Sequence, residues 1–136
     1  MANLLPIDFS QISTYITLAV ILILSVVLCM LAYRLMNVVP AKWLCDYDEE
    51  PDESLLGTRY IFKQSGICTS ALFAIFNLGI FAFFGYSYYT IFFLLISITM
   101  LLIAMSDFKY TIIPDQFTIA LAVLCVALAI TDLFTQ

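Results

Sequence analysis

Long uncharged stretches alternate with short charged ones along this chain. Residues 10–33, 66–106 and 116–131 contain no Asp, Glu, Lys or Arg. A transmembrane helix needs about 20 consecutive apolar residues, so the first stretch suits one span and the second is long enough for two. Gly85-Tyr86-Ser87 favours a turn that divides the second stretch. The third stretch becomes a full span if its helix starts near Pro114.

This pattern predicts an all-α polytopic membrane protein, folded as a single membrane domain over residues 1–136. One loop, at 36–65, separates the first helix from the second. Residues 1–9 contain no Lys or Arg, so the first helix is predicted to be a retained anchor rather than a cleaved signal peptide. The four helices are predicted at about 11–35, 66–84, 87–107 and 115–134.

The composition supports a lipid environment for most side chains. Hydrophobic residues make up 64% of the chain and charged residues 11%, against about 25% charged residues in soluble domains. The mean hydropathy of +1.08 agrees. These values exclude a disordered chain, a nucleic-acid binder and an ordinary soluble globule, and they predict the lipid bilayer as the partner of the helices.

The basic residues predict the orientation, because Lys and Arg are retained on the cytoplasmic side of a membrane. Arg34 lies at the end of the first predicted helix, three more lie between the first and second helices, and Lys109 lies between the third and fourth. The loops at 36–65 and 108–114 are therefore expected to face the cytoplasm, with both termini outside it. The five are Arg34, Lys42, Arg59, Lys63 and Lys109.

Several kinds of catalytic and metal chemistry are excluded or disfavoured by the residue types. The chain has no His, which excludes Ser-His and Cys-His mechanisms within it. Its four Cys residues form no Cys-x-x-Cys pair, so neither a zinc site nor another cofactor is expected. The acidic segment 46–53 lacks the ligand spacing and the Gly of a calcium loop, and it is predicted to be a solvated linker.

Three acidic residues lie close to the predicted spans. Asp132 is near the end of the fourth helix and is expected to reach water. Asp115 precedes the apolar run of the fourth helix, where an N-cap acid is favoured by the helix dipole. Asp107 ends the third predicted helix, where a carboxylate opposes the dipole. An ionisable residue at the membrane edge is a candidate for function, and Asp107 is the strongest one.

The segment from Met105 to Asp115 resembles the first catalytic motif of type IV prepilin peptidases, in which a helix ends in Asp and an Ile-Pro-Asp follows. The spacing from Asp107 to Asp115 matches without a gap. Tyr33-Arg34-Leu35, at the cytoplasmic end of the first helix, is similar to the family's Tyr/His-Arg-Leu-Pro, with Met36 where Pro is usual. Arg59-Tyr60 is similar to its Arg-Tyr segment before the second, with Gln64 in place of Glu.

The resemblance implies an aspartic endopeptidase of the bacterial inner membrane. Such enzymes remove the basic leader of prepilins and pseudopilins at the cytoplasmic face. It implies Asp107 as a catalytic carboxylate, with Asp115 as a weaker candidate for the second acid. It also implies prepilin contacts by Arg59 and Lys63.

One departure leaves alternatives open. The family uses a second aspartate in a Gly-x-Gly-Asp motif, and none of the four glycines here belongs to such a motif. Either the chain is a shortened member of the family, or a second chain or a homodimer supplies that aspartate. The alternative is a non-catalytic membrane scaffold or subunit that binds a transmembrane partner.

Overall fold

The computed structural model describes residues 7–45, 48–50 and 64–135. In these ranges the chain forms four long α-helices and no strand, which confirms the predicted all-α, four-span architecture. Each helix is long and apolar enough to cross a membrane. They are α1 (Ile12–Val38), α2 (Gln64–Phe84), α3 (Tyr88–Tyr110) and α4 (Asp115–Thr135).

Neighbouring helices run antiparallel. The Tyr86 hydroxyl at the end of α2 lies 2.7 Å from the Thr17 hydroxyl near the start of α1. At the opposite end of this pair, the Tyr33 hydroxyl donates a hydrogen bond to Thr69. We call the end that holds residues 7–11 and the turn 85–87 the terminal end, and the end that holds residues 39–45 and 111–114 the loop end.

Gly85 makes the turn between α2 and α3 possible. Its φ of 58° lies in the left-handed region, which glycine enters without a steric penalty. The Gly85 N–H donates to the Phe81 carbonyl, and the Gly85 carbonyl accepts the Thr90 hydroxyl at 2.6 Å. The turn therefore lies at the predicted position.

The helix bounds at the loop end differ from those predicted. α1 continues to Val38, three residues past the predicted end at 35, and stops ahead of Pro40. The predicted 36–65 loop contains a short 3₁₀ helix at Ala41–Leu44. α3 continues to Tyr110 rather than ending at 107, so Asp107 lies inside the last turn of the helix.

The bundle buries small polar side chains alongside its apolar core, while many large apolar side chains face outward. At its centre, Asn77 on α2 donates from Nδ2 to the Ser25 hydroxyl on α1 at 2.9 Å. The Ser97 hydroxyl on α3 donates to Asn77 Oδ1 at 2.7 Å. We call these three buried residues the polar triad. Because lipid offers no hydrogen bonds, the triad joins three helices where hydrophobic burial alone provides no driving force.

Candidate functional site

Asp107 lies on the last turn of α3 at the loop end, with its side chain exposed. Its neighbour Ser106 is fully buried and donates a hydrogen bond from Oγ to the Ile112 carbonyl at 2.8 Å. This bond fixes the chain after α3 against the helix that has just ended. The Asp107 backbone is therefore held, while its carboxylate stays accessible.

Two residues, Thr111 and Pro114, shape the turn between α3 and α4. Thr111 adopts a φ of 56°, an uncommon left-handed conformation for a β-branched residue, and its N–H donates to the Asp107 carbonyl at 2.9 Å. Pro114 is fully buried, and its carbonyl accepts the N–H groups of Phe117 and Thr118. The chain thus leaves α3 abruptly and enters α4 within four residues.

Asp115 is the first residue of α4, which agrees with the predicted start of the fourth helix at about 115, and it is exposed. The carbonyl of Pro114 receives the first helical hydrogen bonds. A carboxylate in the first turn of a helix is stabilised by the positive end of the helix dipole. Asp115 therefore has a structural reason to be acidic, whereas no comparable dipole favours Asp107.

A buried apolar cluster anchors this corner to the rest of the bundle. Phe117 of α4 and Met105 and Tyr110 of α3 belong to the same core as Met36 of α1 and Leu44 of the 3₁₀ helix. Since protein cores pack densely, the corner cannot shift without disturbing α1. The positions of both acidic residues are therefore set by packed elements rather than by free loops.

A cavity of about 460 Å³ opens beside this corner. One wall comes from the turn and the start of α4, including Asp115 and Gln116, and the other from Lys42, Trp43 and Glu49. Its lining combines two carboxylates, one ammonium group and an indole ring. Such a lining suits a ligand that is partly cationic and partly apolar.

The structure brings only some of the predicted site residues together. Asp107 and Asp115 lie at the same end of the bundle, but Asp115 lines the cavity and Asp107 does not. Arg59 and Lys63 lie outside the described residues, as does much of the acidic segment 46–53. Among the described residues no cluster of His, Cys, Asp or Glu is arranged to hold a metal ion.

Two features of the structure were not anticipated from the sequence. Trp43 and Lys42 form one wall of the cavity. In the sequence they are a cation and an aromatic residue that follow a proline, and this pattern alone does not indicate a cavity. At the terminal end, the carboxylate of Asp132 accepts hydrogen bonds from the hydroxyls of Tyr88, at 2.9 Å, and Tyr89. Asp132 therefore has a structural role that joins α3 to α4.

Comparison with known proteins adds no relative. No family model, no curated protein and no solved structure matches this chain.

Proposed function

We propose that this chain provides a catalytic aspartate, Asp107, of a membrane aspartic endopeptidase of the prepilin-peptidase type. The main support for the proposal is the fold of the segment 105–115. The segment 105–115 folds as a helix, a left-handed turn and a second helix, and it exposes two carboxylates at one end of the bundle beside a cavity. A serine or thiol protease is disfavoured by the absence of His.

The proposed chemistry needs two carboxyl groups with different protonation states. An ionised carboxylate takes a proton from water, which then attacks the peptide carbonyl carbon. A protonated carboxyl group donates a hydrogen bond to the carbonyl oxygen and stabilises the charge that develops there. The tetrahedral intermediate then collapses, the C–N bond breaks, and the first carboxyl group gives the proton it took from water to the leaving amine. Two carboxyl groups close together share one proton, which produces this division of roles.

Asp107 supplies one of these groups, and the second has two possible sources. Asp115 is the nearest other acid along the chain, and it already lines the cavity. A second chain, or a second copy of this one, is the other source, since an isologous contact brings identical residues together on a two-fold axis. The experiment below distinguishes the two.

The proposed substrate is the basic leader of a prepilin or pseudopilin, cleaved at the cytoplasmic face of the bacterial inner membrane. Charge complementarity supports it. The chain has a net charge of −5, and Glu49 and Asp115 contribute carboxylates to the cavity. Complementary charge favours encounter with a basic peptide and the exclusion of acidic ones.

The test is a cleavage assay on a substrate with a basic leader and an apolar helix, with leader release followed by mass spectrometry. We expect Asp107→Asn to reduce cleavage by at least about 10³-fold, the scale of losing a catalytic group. Asp132→Asn is the matched control, because it removes an acid at the opposite end of the bundle, and we expect it to retain activity. Loss of activity in Asp115→Asn as well would assign the second acid to this chain. Full activity of Asp107→Asn would reject the proposal.

A second candidate function is a scaffold that binds a transmembrane partner through α4. Phe117 is the only buried residue of this helix. Six large apolar residues of this helix are exposed, and all of them except Phe134 recur at alternating intervals of four and three, the spacing of a helix–helix seam. The five that recur are Ile119, Val123, Val126, Ile130 and Leu133.

The scaffold function predicts that a partner helix lies against this face in the membrane. A cysteine introduced at Val126 should then cross-link to that partner, whereas one at the half-buried Ala127 should not. Cross-linking at Val126 together with the absence of cleavage in every assembly would favour the scaffold over the peptidase.

A further inference from the structure

An apolar groove lies between α1 and α3 on the loop-end half of the bundle. Its volume is about 440 Å³. Ala32 forms a buried floor, while Leu31, Leu35 and Val38 are exposed along its margin. The α3 side is formed by Ile98 and Leu102. The only charged side chain in the lining belongs to Arg34.

The length of the groove matches one leaflet of a bilayer. It extends along α1 from Leu28 to Val38, which is about 15 Å at the helical rise of 1.5 Å per residue. The hydrocarbon core of a bilayer is about 30 Å thick, so each leaflet contributes about half of it. A transmembrane helix of a partner would need a groove that spans both leaflets, whereas an acyl chain needs a groove that spans only one leaflet.

The depth of Arg34 places its charge at the level of the lipid phosphates. Ser25 is at the midpoint of α1, and Arg34 lies nine residues further on, about 13.5 Å along the helix axis. That distance is close to the edge of the hydrocarbon core. The long Arg side chain extends from there to the headgroups.

The Arg34 guanidinium is available for an anion. It is exposed, and it forms no hydrogen bond or ion pair with any residue that the structure describes. A guanidinium group binds a phosphate with two parallel hydrogen bonds. Arg34 is the charged side chain that lines the apolar groove, so it marks a place there for a negatively charged headgroup.

We propose that this groove binds one anionic phospholipid, with an acyl chain between α1 and α3 and its phosphate on Arg34. The site is separate from the Asp107 corner, and it does not depend on the function proposed there. The leaflet is the one at the loop end of the bundle.

The test measures lipid retention by the purified full chain in native mass spectrometry. Phosphatidylglycerol and phosphatidylcholine with identical acyl chains are added in parallel. One basic residue near a membrane surface is worth about a fivefold preference for an anionic lipid, and we expect the wild type to show it. Arg34→Gln should abolish this preference, and Arg34→Lys should keep part of it.

Two further variants separate the headgroup from the groove. Lys42→Gln is the matched control, since it removes a basic residue at the same end but outside the groove, and it should leave the preference unchanged. Leu35→Trp fills the groove and should weaken retention of both lipids. Equal retention of the two lipids by the wild type, or an unchanged preference in Arg34→Gln, would overturn the proposal. The proposal would also be overturned if the wild type is a dimer that retains no lipid and the Leu35→Trp variant is a monomer. That result would show that a second copy of the chain occupies the groove.

Discussion

Asn77 connects the first three helices by hydrogen bonds. Its amide donates to Ser25 and accepts from Ser97, so one side chain joins α1, α2 and α3. Ser25 also donates to the Ile21 carbonyl of its own helix, and the Ser97 hydroxyl, whose one proton goes to Asn77, also lies 2.8 Å from the Leu94 carbonyl of its own helix. They therefore keep a hydrogen-bond partner if the amide is removed, and the loss is confined to the two bonds between helices.

Replacing Asn77 by Leu should accordingly lower the free energy of unfolding by about 1–2 kcal/mol, since hydrogen bonds between membrane helices average about 0.6 kcal/mol each. Unfolding in detergent mixtures, followed by circular dichroism, measures it. Ser70→Ala is the matched control, because the Ser70 hydroxyl bonds to the Ile67 carbonyl of its own helix. Equal stability of the two variants would show that the triad does not hold the helices together.

Asp8 gives the terminal end a defined pH dependence. Hydrogen bonds from the Ser10 hydroxyl, at 2.6 Å, and from the Ser10 N–H, at 2.9 Å, lower the pKa of the Asp8 carboxyl below its ordinary value of 3.8. A depressed pKa means that the turn is stabilised above pH 3.8 and loses this contribution as the pH falls through the folded pKa.

Ser10→Ala should therefore raise the pKa of Asp8 towards 3.8. Carboxyl-carbon NMR titration of the wild type and the variant, each with Asp8 assigned, measures the shift. Identical titration midpoints in the two proteins would contradict this explanation of the turn.

Sequence reasoning located individual residues better than it located their contacts. The uncharged stretches placed Asp107 and Asp115 near helix ends because charges are excluded from the hydrocarbon core. The same reasoning did not pair Asn77 with Ser25 and Ser97. These helices are apolar on every side, so their sequence carries no amphipathic signal that specifies which face turns inward.

At the scale of the helices, α4 has a buried or hydrogen-bonded attachment at each of its two ends. Phe117 packs into the core at the loop end. At the terminal end, Asp132 accepts hydrogen bonds from Tyr88 and Tyr89, and the Thr135 hydroxyl lies 3.1 Å from the Tyr88 hydroxyl. Tyrosines are favoured at a membrane–water interface, where the ring is apolar and the hydroxyl is solvated.

Asp132→Ala should release the terminal end of α4. We expect the amides of residues 128–134 to exchange with deuterium several-fold faster, while those of α1 remain unchanged, because local opening follows the loss of local contacts. Hydrogen exchange with mass spectrometry provides the comparison. Unchanged exchange in α4 would show that the tyrosine contacts do not hold this end.

The end of α3 shows why helix bounds were harder to predict than helix number. The sequence predicts the end of α3 at Asp107, the first charge after the apolar run. The helix continues for three more residues and stops at Thr111, whose left-handed conformation is rare for its residue type. Without a glycine there, the sequence had no local signal for the stop.

At the scale of the whole molecule, the site requires the loop end to face the cytoplasm. Five basic residues favour that orientation. Cys45 lies at the loop end, outside the four helices, and is partly exposed. The other three cysteines lie on membrane helices.

In a variant that keeps Cys45 and replaces the other three by Ser, a membrane-impermeant thiol reagent should not label intact cells. It should label inverted vesicles prepared from the same cells, because their cytoplasmic face is exposed. A Cys45→Ser variant measures the background. Labelling of Cys45 in intact cells would place the loop end outside and contradict the proposed site.

A cleavage assay on the purified protein, separated into fractions by oligomeric state, tests whether Asp107 belongs to a two-aspartate site. Each fraction receives the same basic-leader substrate, with the wild type and Asp107→Asn compared at equal concentration. We expect cleavage by the wild type and none by Asp107→Asn in any fraction, and cleavage confined to an assembled fraction would assign the second acid to a second chain. Monomer cleavage that is lost in both Asp107→Asn and Asp115→Asn would place both acids in one chain. Cleavage by the Asp107→Asn variant would contradict the proposal that Asp107 is a catalytic aspartate.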